Sequence, residues 1–153
     1  GGFTRVLVQP ATKPVMQTKG EIQALLSKSP KHVQWLAAGA LTEDLQGKHI
    51  AEMLDMHAAG AVAFSNAEVS IENSRTMLLA LQYAKHAGVP VMVMPADRHL
   101  SEGALVHEGP MSTRLGMKGM SALAEEMAIA RDLELLAYAG GRLHFTKVST
   151  AGG

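Results

Sequence analysis

Apolar residues along the chain follow two periodicities that alternate from one end of the sequence to the other. Short runs rich in β-branched residues predict strands, and longer stretches with an apolar residue every three or four positions predict helices. The predicted strands are residues 4–8, 33–38, 61–64, 89–94 and 143–148. The predicted helices are residues 20–27, 48–57, 71–86 and 121–138. Strands and helices therefore alternate strictly along the sequence.

Signals at the ends of the predicted helices support this order. Gly60 and Gly88 follow the second and third helices as C-terminal stops, and Ser121 stands where it can cap the fourth. Strands separated by such helices are joined by βαβ crossovers, which give a parallel sheet covered by helices. We therefore predict an α/β fold. The pattern alone leaves two architectures open, a doubly wound sheet and a (β/α)8 barrel.

One connection, residues 95–120, is much longer than the others. It follows the carboxyl end of a predicted strand, where parallel α/β folds build their sites, and it carries Asp97, His99 and His107. A functional loop and a loop that only packs against a neighbouring element are equally compatible with its sequence.

The composition narrows the class of protein. With 153 residues, 47% of them hydrophobic and 18% charged, the chain is suited to one globular domain without a membrane helix. A formal net charge of zero and the absence of a Lys/Arg cluster argue against nucleic-acid binding. Since there is no cysteine and no signal-peptide pattern, we expect a cytoplasmic protein without thiolate metal ligands. Five strands cannot close a barrel of about 250 residues, which indicates that residues 1–153 are part of a longer domain.

Several motifs, in order and over nearly the whole chain, resemble those of dihydroorotases. They are Gly2-Phe3-Thr4, residues 9–14, residues 60–65, residues 102–119, Ala124-Glu125-Glu126, Ala130-Arg131-Asp132 and residues 144–151. The resemblance implies a (β/α)8 barrel of the amidohydrolase superfamily, with this chain as roughly its second to sixth strand units. It also implies a zinc centre at the carboxyl ends of the strands, where the metal polarises a cyclic amide and activates water.

The positions that the resemblance assigns to zinc and substrate hold other residues in this chain. Asn66 stands where the family has a ligating Asp, and Met94 and Lys147 stand where it has ligating histidines. Ala11 replaces an Asn that holds the substrate carboxylate in the family. An amide, a thioether and an ammonium group cannot replace a carboxylate and two imidazoles on zinc. We therefore expect no zinc, no metal-binding or substrate-binding residue among these positions, and no catalytic residue.

Other titratable groups offer no clear replacement for this centre. His99, His107 and His144 do not follow the His-x-x-x-His spacing of a helical metal site, so a substitute site is not expected. We predict that Lys147 occupies the former metal position and pairs with Asp97. Glu125, Glu126, Arg131 and Asp132 are predicted to form a solvated helix face, and most of the ten methionines are predicted to fill the core.

These observations lead to a hypothesis about function. We expect a dihydroorotase-like pseudoenzyme of pyrimidine biosynthesis with a structural role. The resemblance implies aspartate carbamoyltransferase as its partner, and unpaired edge strands favour a homo-oligomer. The alternative is an active zinc-dependent cyclic amidohydrolase, a dihydroorotase or a hydantoinase-like or allantoinase-like enzyme, with an altered metal site. A third interpretation is a stable fragment without a function of its own.

Overall fold

The computed structural model describes residues 2–153, and its secondary structure alternates as the sequence predicts. The strands are β1 (Arg5–Val8), β2 (Gln34–Ala40), β3 (Ala61–Ser65), β4 (Val91–Val93), β5 (Val106–His107), β6 (Gly119–Met120) and β7 (Leu143–Phe145). The helices are α1 (Lys19–Ser27), α2 (Met53–Ala58), α3 (Ser74–Ala87), α4 (Arg98–Ser101), α5 (Pro110–Arg114) and α6 (Ala122–Ala139).

Five of the strands form one parallel sheet in the order β1-β2-β3-β4-β7. These are the five predicted strands, each within a few residues of its predicted bounds. The spatial order follows the chain order without a reversal, and α1 contacts α2, α2 contacts α3, and α3 contacts α6. Right-handed crossovers between strands in sequential order place the helices α1, α2, α3 and α6 on the same face of the sheet. This is the arrangement of a (β/α)8 barrel segment, because a doubly wound sheet reverses its strand order.

The second predicted helix begins five residues later than expected, at Met53 instead of Lys48. The preceding backbone makes hydrogen bonds with the segment directly after β2: Glu43 N–H donates to His49 O at 2.9 Å, and Ala51 N–H donates to Leu41 O at 3.0 Å. Ile50 therefore forms an isolated antiparallel bridge with Thr42 instead of a helical turn, which local periodicity could not reveal.

A single hydrophobic core lies between the sheet and the helices. Its largest fully buried side chains include Phe64, Met53, Met56 and Met77, which confirms core filling for these three methionines. Met127, by contrast, is half exposed on α6. Since β2 packs tightly against this core, position 39 has no room for a side chain: an added Cβ at Gly39 would lie 2.8 Å from the Met56 sulfur.

The connection 95–120 is an ordered insertion instead of an irregular loop. It contains α4, α5 and a small parallel sheet of β5 and β6. Asp97 caps α4, accepting a hydrogen bond from Leu100 N–H at 3.0 Å. None of the helices within residues 2–153 combines the length and the apolar character that crossing a membrane requires.

Candidate functional site

The carboxyl ends of β1, β3 and β7 surround a cavity of about 320 Å³. Ala11 and Lys147, two of the positions singled out from the sequence, both line it, together with Glu68. In parallel α/β folds, functional groups converge at this edge of the sheet because every strand ends there. The structure therefore brings Ala11 and Lys147 to one cavity, as the resemblance implies.

Asn66 lies beneath this edge and is 1% exposed. Its Oδ1 accepts a hydrogen bond from the Thr42 hydroxyl at 2.7 Å, and its Nδ2 donates to the carbonyl oxygens of Leu45 and Val69 at 3.3 and 3.1 Å. Both ends of the amide are thus used to hold neighbouring loops in place. A carboxylate could accept from Thr42 but could not donate to the two carbonyls.

Met94, directly after β4, is half buried and lines a second, adjoining cavity of about 850 Å³. Glu68 lines both cavities, and Arg98 also borders the second one. Met94 therefore lies at the same edge of the sheet but does not share the cavity that contains Ala11 and Lys147. Its thioether is a weak acceptor without charge, and zinc sites use nitrogen, oxygen or thiolate donors instead.

Lys147 forms an ion pair with Glu68, which links the segments that follow β7 and β3. The predicted pairing of Lys147 with Asp97 is wrong, because Asp97 instead caps α4. The hydrogen bond from Lys147 and its positive charge together hold the pKa of the Glu68 carboxyl below its ordinary value. Both side chains are largely exposed, so the pair adds little to folding stability and acts mainly by neutralising this edge.

The residues present do not fit the zinc centre that the resemblance implies. The amide of Asn66 is fully engaged, Met94 offers sulfur without charge, and the cation of Lys147 is paired with Glu68. Within residues 2–153 there is no group of three or more His, Cys, Asp or Glu side chains that could hold a metal ion. These residues therefore do not supply the negative donor set that overcomes the hydration of a dication.

Glu125, which the sequence placed on a solvated helix face, is instead 2% exposed. Its carboxylate accepts hydrogen bonds from the backbone N–H and hydroxyl groups of both Ser149 and Thr150, at 2.5 to 3.1 Å. Burial raises the pKa of Glu125, but these hydrogen bonds outweigh it and lower the pKa to about 2. Glu125 thus fixes the loop that carries Lys147. The partners lie 24 and 25 positions away, and no local signal in the sequence connects them.

Arg131 and Asp132 also belong to the interior of the structure. Asp132 is buried, and Arg131 donates to it at 2.7 Å and to the carbonyl oxygens of Ile71 and Glu72 at 2.8 and 2.9 Å. Burial raises the pKa of Asp132, and the charge and hydrogen bonds of Arg131 oppose that shift. The prediction of a solvated face is therefore wrong here too, because α6 packs against the segment that leads into α3.

A sequential parallel sheet, helices on one face and a cavity at the carboxyl edge together define a segment of a (β/α)8-barrel protein. An L-hydantoinase (dihydropyrimidinase) from Arthrobacter aurescens shares this fold, with a TM-score of 0.70 over 94% of this chain, 34% of that chain and 21% sequence identity. The model of the dihydro-orotase-like family matches residues 1–152, and the chain therefore belongs to this family of cyclic amidohydrolases.

Curated relatives agree with this assignment. A dihydroorotase from Syntrophobacter fumaroxidans is 41% identical over 99% of this chain and 35% of its own length. A dihydroorotase from Pelotomaculum thermopropionicum is 43% identical over 99% of this chain and 36% of its length. A dihydroorotase-like protein from Pseudomonas putida is 37% identical over 100% of this chain and 37% of its length. The chain thus spans about a third of the length of these relatives.

Proposed function

We propose that the protein is a dihydroorotase-like pseudoenzyme with a structural role in pyrimidine biosynthesis. The observation that carries the proposal is the hydrogen bonding of Asn66. Its amide donates to two carbonyl oxygens inside the fold, which the family's carboxylate could not do. With Met94 and Lys147 at the other ligand positions, this edge has lost its donors for zinc, and Asn66 instead holds neighbouring loops in place.

Zinc content and turnover test this proposal directly. The purified protein, produced with zinc supplied, should contain less than about a tenth of an equivalent of zinc by elemental analysis. It should neither close N-carbamoyl-aspartate nor open dihydroorotate, while the Syntrophobacter fumaroxidans dihydroorotase, assayed in parallel, serves as the active control. One equivalent of zinc together with turnover that a chelator abolishes would overturn the proposal.

The structural role that we propose is to support aspartate carbamoyltransferase in the cytoplasm, with residues 1–153 as part of a longer, oligomeric barrel domain. The family resemblance supports this partner. Gel filtration of the two proteins, separately and mixed, should show the dihydroorotase-like protein eluting with the transcarbamoylase in the mixture. Separate elution of two folded proteins at micromolar concentration would contradict the partnership.

An active cyclic amidohydrolase with a displaced metal is the second candidate. The likeness of the fold to a hydantoinase favours it, since that scaffold accommodates a second type of cyclic amide. Turnover of hydantoin or dihydroorotate by the purified protein, dependent on added zinc, would support this candidate. The absence of turnover at high protein concentration, with the control enzyme active, would remove it.

A further inference from the structure

The ordered insertion between β4 and α6 exposes several large apolar side chains close together. They are 37% to 75% exposed and together form the insertion surface: Leu105, Val106, Met111, Leu115 and Met117. Backbone hydrogen bonds join the parts of this surface, because Leu105 N–H donates to Lys118 O at 3.0 Å and Met117 N–H donates to Ser112 O at 2.9 Å. Single exposed apolar residues need no explanation, but a group of this kind indicates a surface that contacts another molecule.

Exposed charged side chains of both signs lie in the same segment of the chain. Two are acidic, Glu102 and Glu108, and two are basic, Arg114 and Lys118. Among residues 2–153, none of these four groups forms an ion pair. With His107 neutral, the segment therefore has no net charge, and groups of each sign are available to a partner.

Balanced charges around an apolar centre favour a second copy of this chain as the partner. In a twofold contact the same surface lies on both sides, so each contact between two different residues occurs twice. A surface with charges of one sign would repel itself in such a contact, whereas this one can place acidic groups of one copy against basic groups of the other. The formal net charge of the whole chain is zero, so two copies do not repel each other at long range either.

The outer side of α6 lacks this balance of charge. Met127 and Tyr138 are also exposed there, but the charged residues that reach solvent, Glu126 and Glu134, are both acidic. The only basic residue of this helix, Arg131, donates inward to carbonyl oxygens of the segment before α3. Two copies of α6 would therefore bring like charges together, which disfavours a twofold contact through this helix.

We propose that the insertion surface joins two copies of this chain in a twofold dimer, with acidic side chains of one copy against basic side chains of the other at its rim. Met111 and Met117 suit this contact, since flexible thioether side chains adapt to an apposed apolar surface. The proposal rests on the oligomeric state in the proposed function and names the surface that produces it, in place of the edges of the sheet. It does not depend on whether the carboxyl edge of the sheet binds zinc.

Sedimentation velocity of the purified protein at several concentrations tests the dimer. At physiological salt we expect a reversible equilibrium between monomer and dimer with a Kd in the micromolar range. Met111→Lys should weaken the dimer about tenfold or more, because it places an unpaired charge in the apolar contact. Met127→Lys makes the same change on the exposed side of α6 and should dimerise like the unaltered protein. An unaltered protein that stays monomeric at about 100 µM, or equal effects of the two substitutions, would overturn the proposal.

Exchange of charge tests the rim without assuming which side chains pair. One double variant, Arg114→Glu with Lys118→Glu, makes the rim acidic, and the other, Glu102→Lys with Glu108→Lys, makes it basic. Each alone should remain monomeric where the unaltered protein is dimeric, and an equimolar mixture should form a heterodimer that high salt weakens. Dimerisation of either variant alone, or no heterodimer between two variants that are folded by circular dichroism, would refute the assigned surface.

Zinc content and dihydroorotate turnover should be measured on the same samples. Zinc-dependent turnover would refute the proposed pseudoenzyme whatever the state of association. A monomeric protein without zinc and without turnover would refute the dimer surface alone, so the two failures can be told apart.

Discussion

Replacing Asn66 by Asp introduces the residue that the family resemblance implies at one ligand position, and the structure indicates that it should destabilise the fold. The substitution removes the two hydrogen bonds that Nδ2 donates to Leu45 O and Val69 O. It also places carboxylate oxygens against these two carbonyls at a site that is 1% exposed. Two lost hydrogen bonds cost about 2 kcal/mol, and the unpaired buried charge adds about 1–2 kcal/mol, giving about 3–4 kcal/mol at neutral pH.

The destabilisation by Asn66→Asp should depend on pH in a defined direction. Burial beside two carbonyls raises the pKa of the new carboxyl in the folded protein above its unfolded value of about 3.9. The electrostatic part of the penalty is therefore absent below about pH 4, grows as the pH rises to the folded-state pKa, and is constant above it. Urea denaturation of Asn66→Asp and the unaltered protein at pH 7.5 and 5.0 should show a smaller difference at the lower pH.

A matched control isolates the environment of Asn66 from the chemistry of the substitution. Asn73 caps α3, and its Oδ1 accepts from the N–H groups of Arg75 and Thr76, a role that Asp fills equally well. Asn73→Asp should therefore leave stability within about 0.5 kcal/mol of the unaltered protein. The reasoning is refuted if Asn66→Asp is as stable as Asn73→Asp in the presence of a chelator, or if it binds one equivalent of zinc.

Three further changes test other contacts. Glu125→Gln should destabilise the protein by about 3 kcal/mol at neutral pH, because an amide has only one acceptor oxygen. The unaltered protein should lose a similar free energy of unfolding as the pH falls from about 4.5 toward 2. Urea denaturation that gives both proteins the same dependence of stability on acid pH would contradict this. Lys147→Gln should return the pKa of Glu68 to its ordinary range, as followed by NMR titration, and an unchanged pKa would argue against the ion pair. Gly39→Ala should lower the free energy of unfolding by about 1–3 kcal/mol, because the new Cβ would lie 2.9 Å from the Phe64 ring. An unchanged midpoint of urea denaturation would show that the core side chains can rearrange to accept the methyl group.

Local periodicity was sufficient to predict the main sheet and the long helices, because these elements bury one face that is visible in the spacing of apolar residues. Periodicity did not predict the local conformation or burial where groups outside the element itself determine them. The late start of α2 depends on hydrogen bonds from residues 49–51 to residues 41–43. The burial of Glu125 likewise depends on donors in Ser149 and Thr150, beyond the end of its own helix.

The partner of Lys147 could not be obtained from the order of the strands. Asp97 and Glu68 both follow strand ends, so both were reasonable partners for a cation at the same edge. Where Lys147 pairs with Glu68, two residues adopt the left-handed region: Ala67, next to Glu68, with φ of 53°, and Lys147 itself, with φ of 58°. Residues other than glycine rarely adopt this backbone conformation, and nothing in the local sequence indicates it at an alanine or a lysine.

The residues at the positions that the resemblance assigns to zinc also make contacts of their own. The amide of Asn66 makes two hydrogen bonds that a carboxylate cannot make, and the ammonium group of Lys147 neutralises Glu68. The two histidines and the Asp that the resemblance implies at these positions would have required a dication instead. The change at Asn66 is therefore supported by contacts inside the fold, and the change at Lys147 by a surface ion pair. Introducing Asp at position 66 breaks its hydrogen bonds and leaves Met94 and Lys147 at the other two positions. This substitution therefore lowers stability and adds no metal affinity that would offset the loss. Under the proposed function, this coupling would let the barrel keep its helices and loops without the metal site returning.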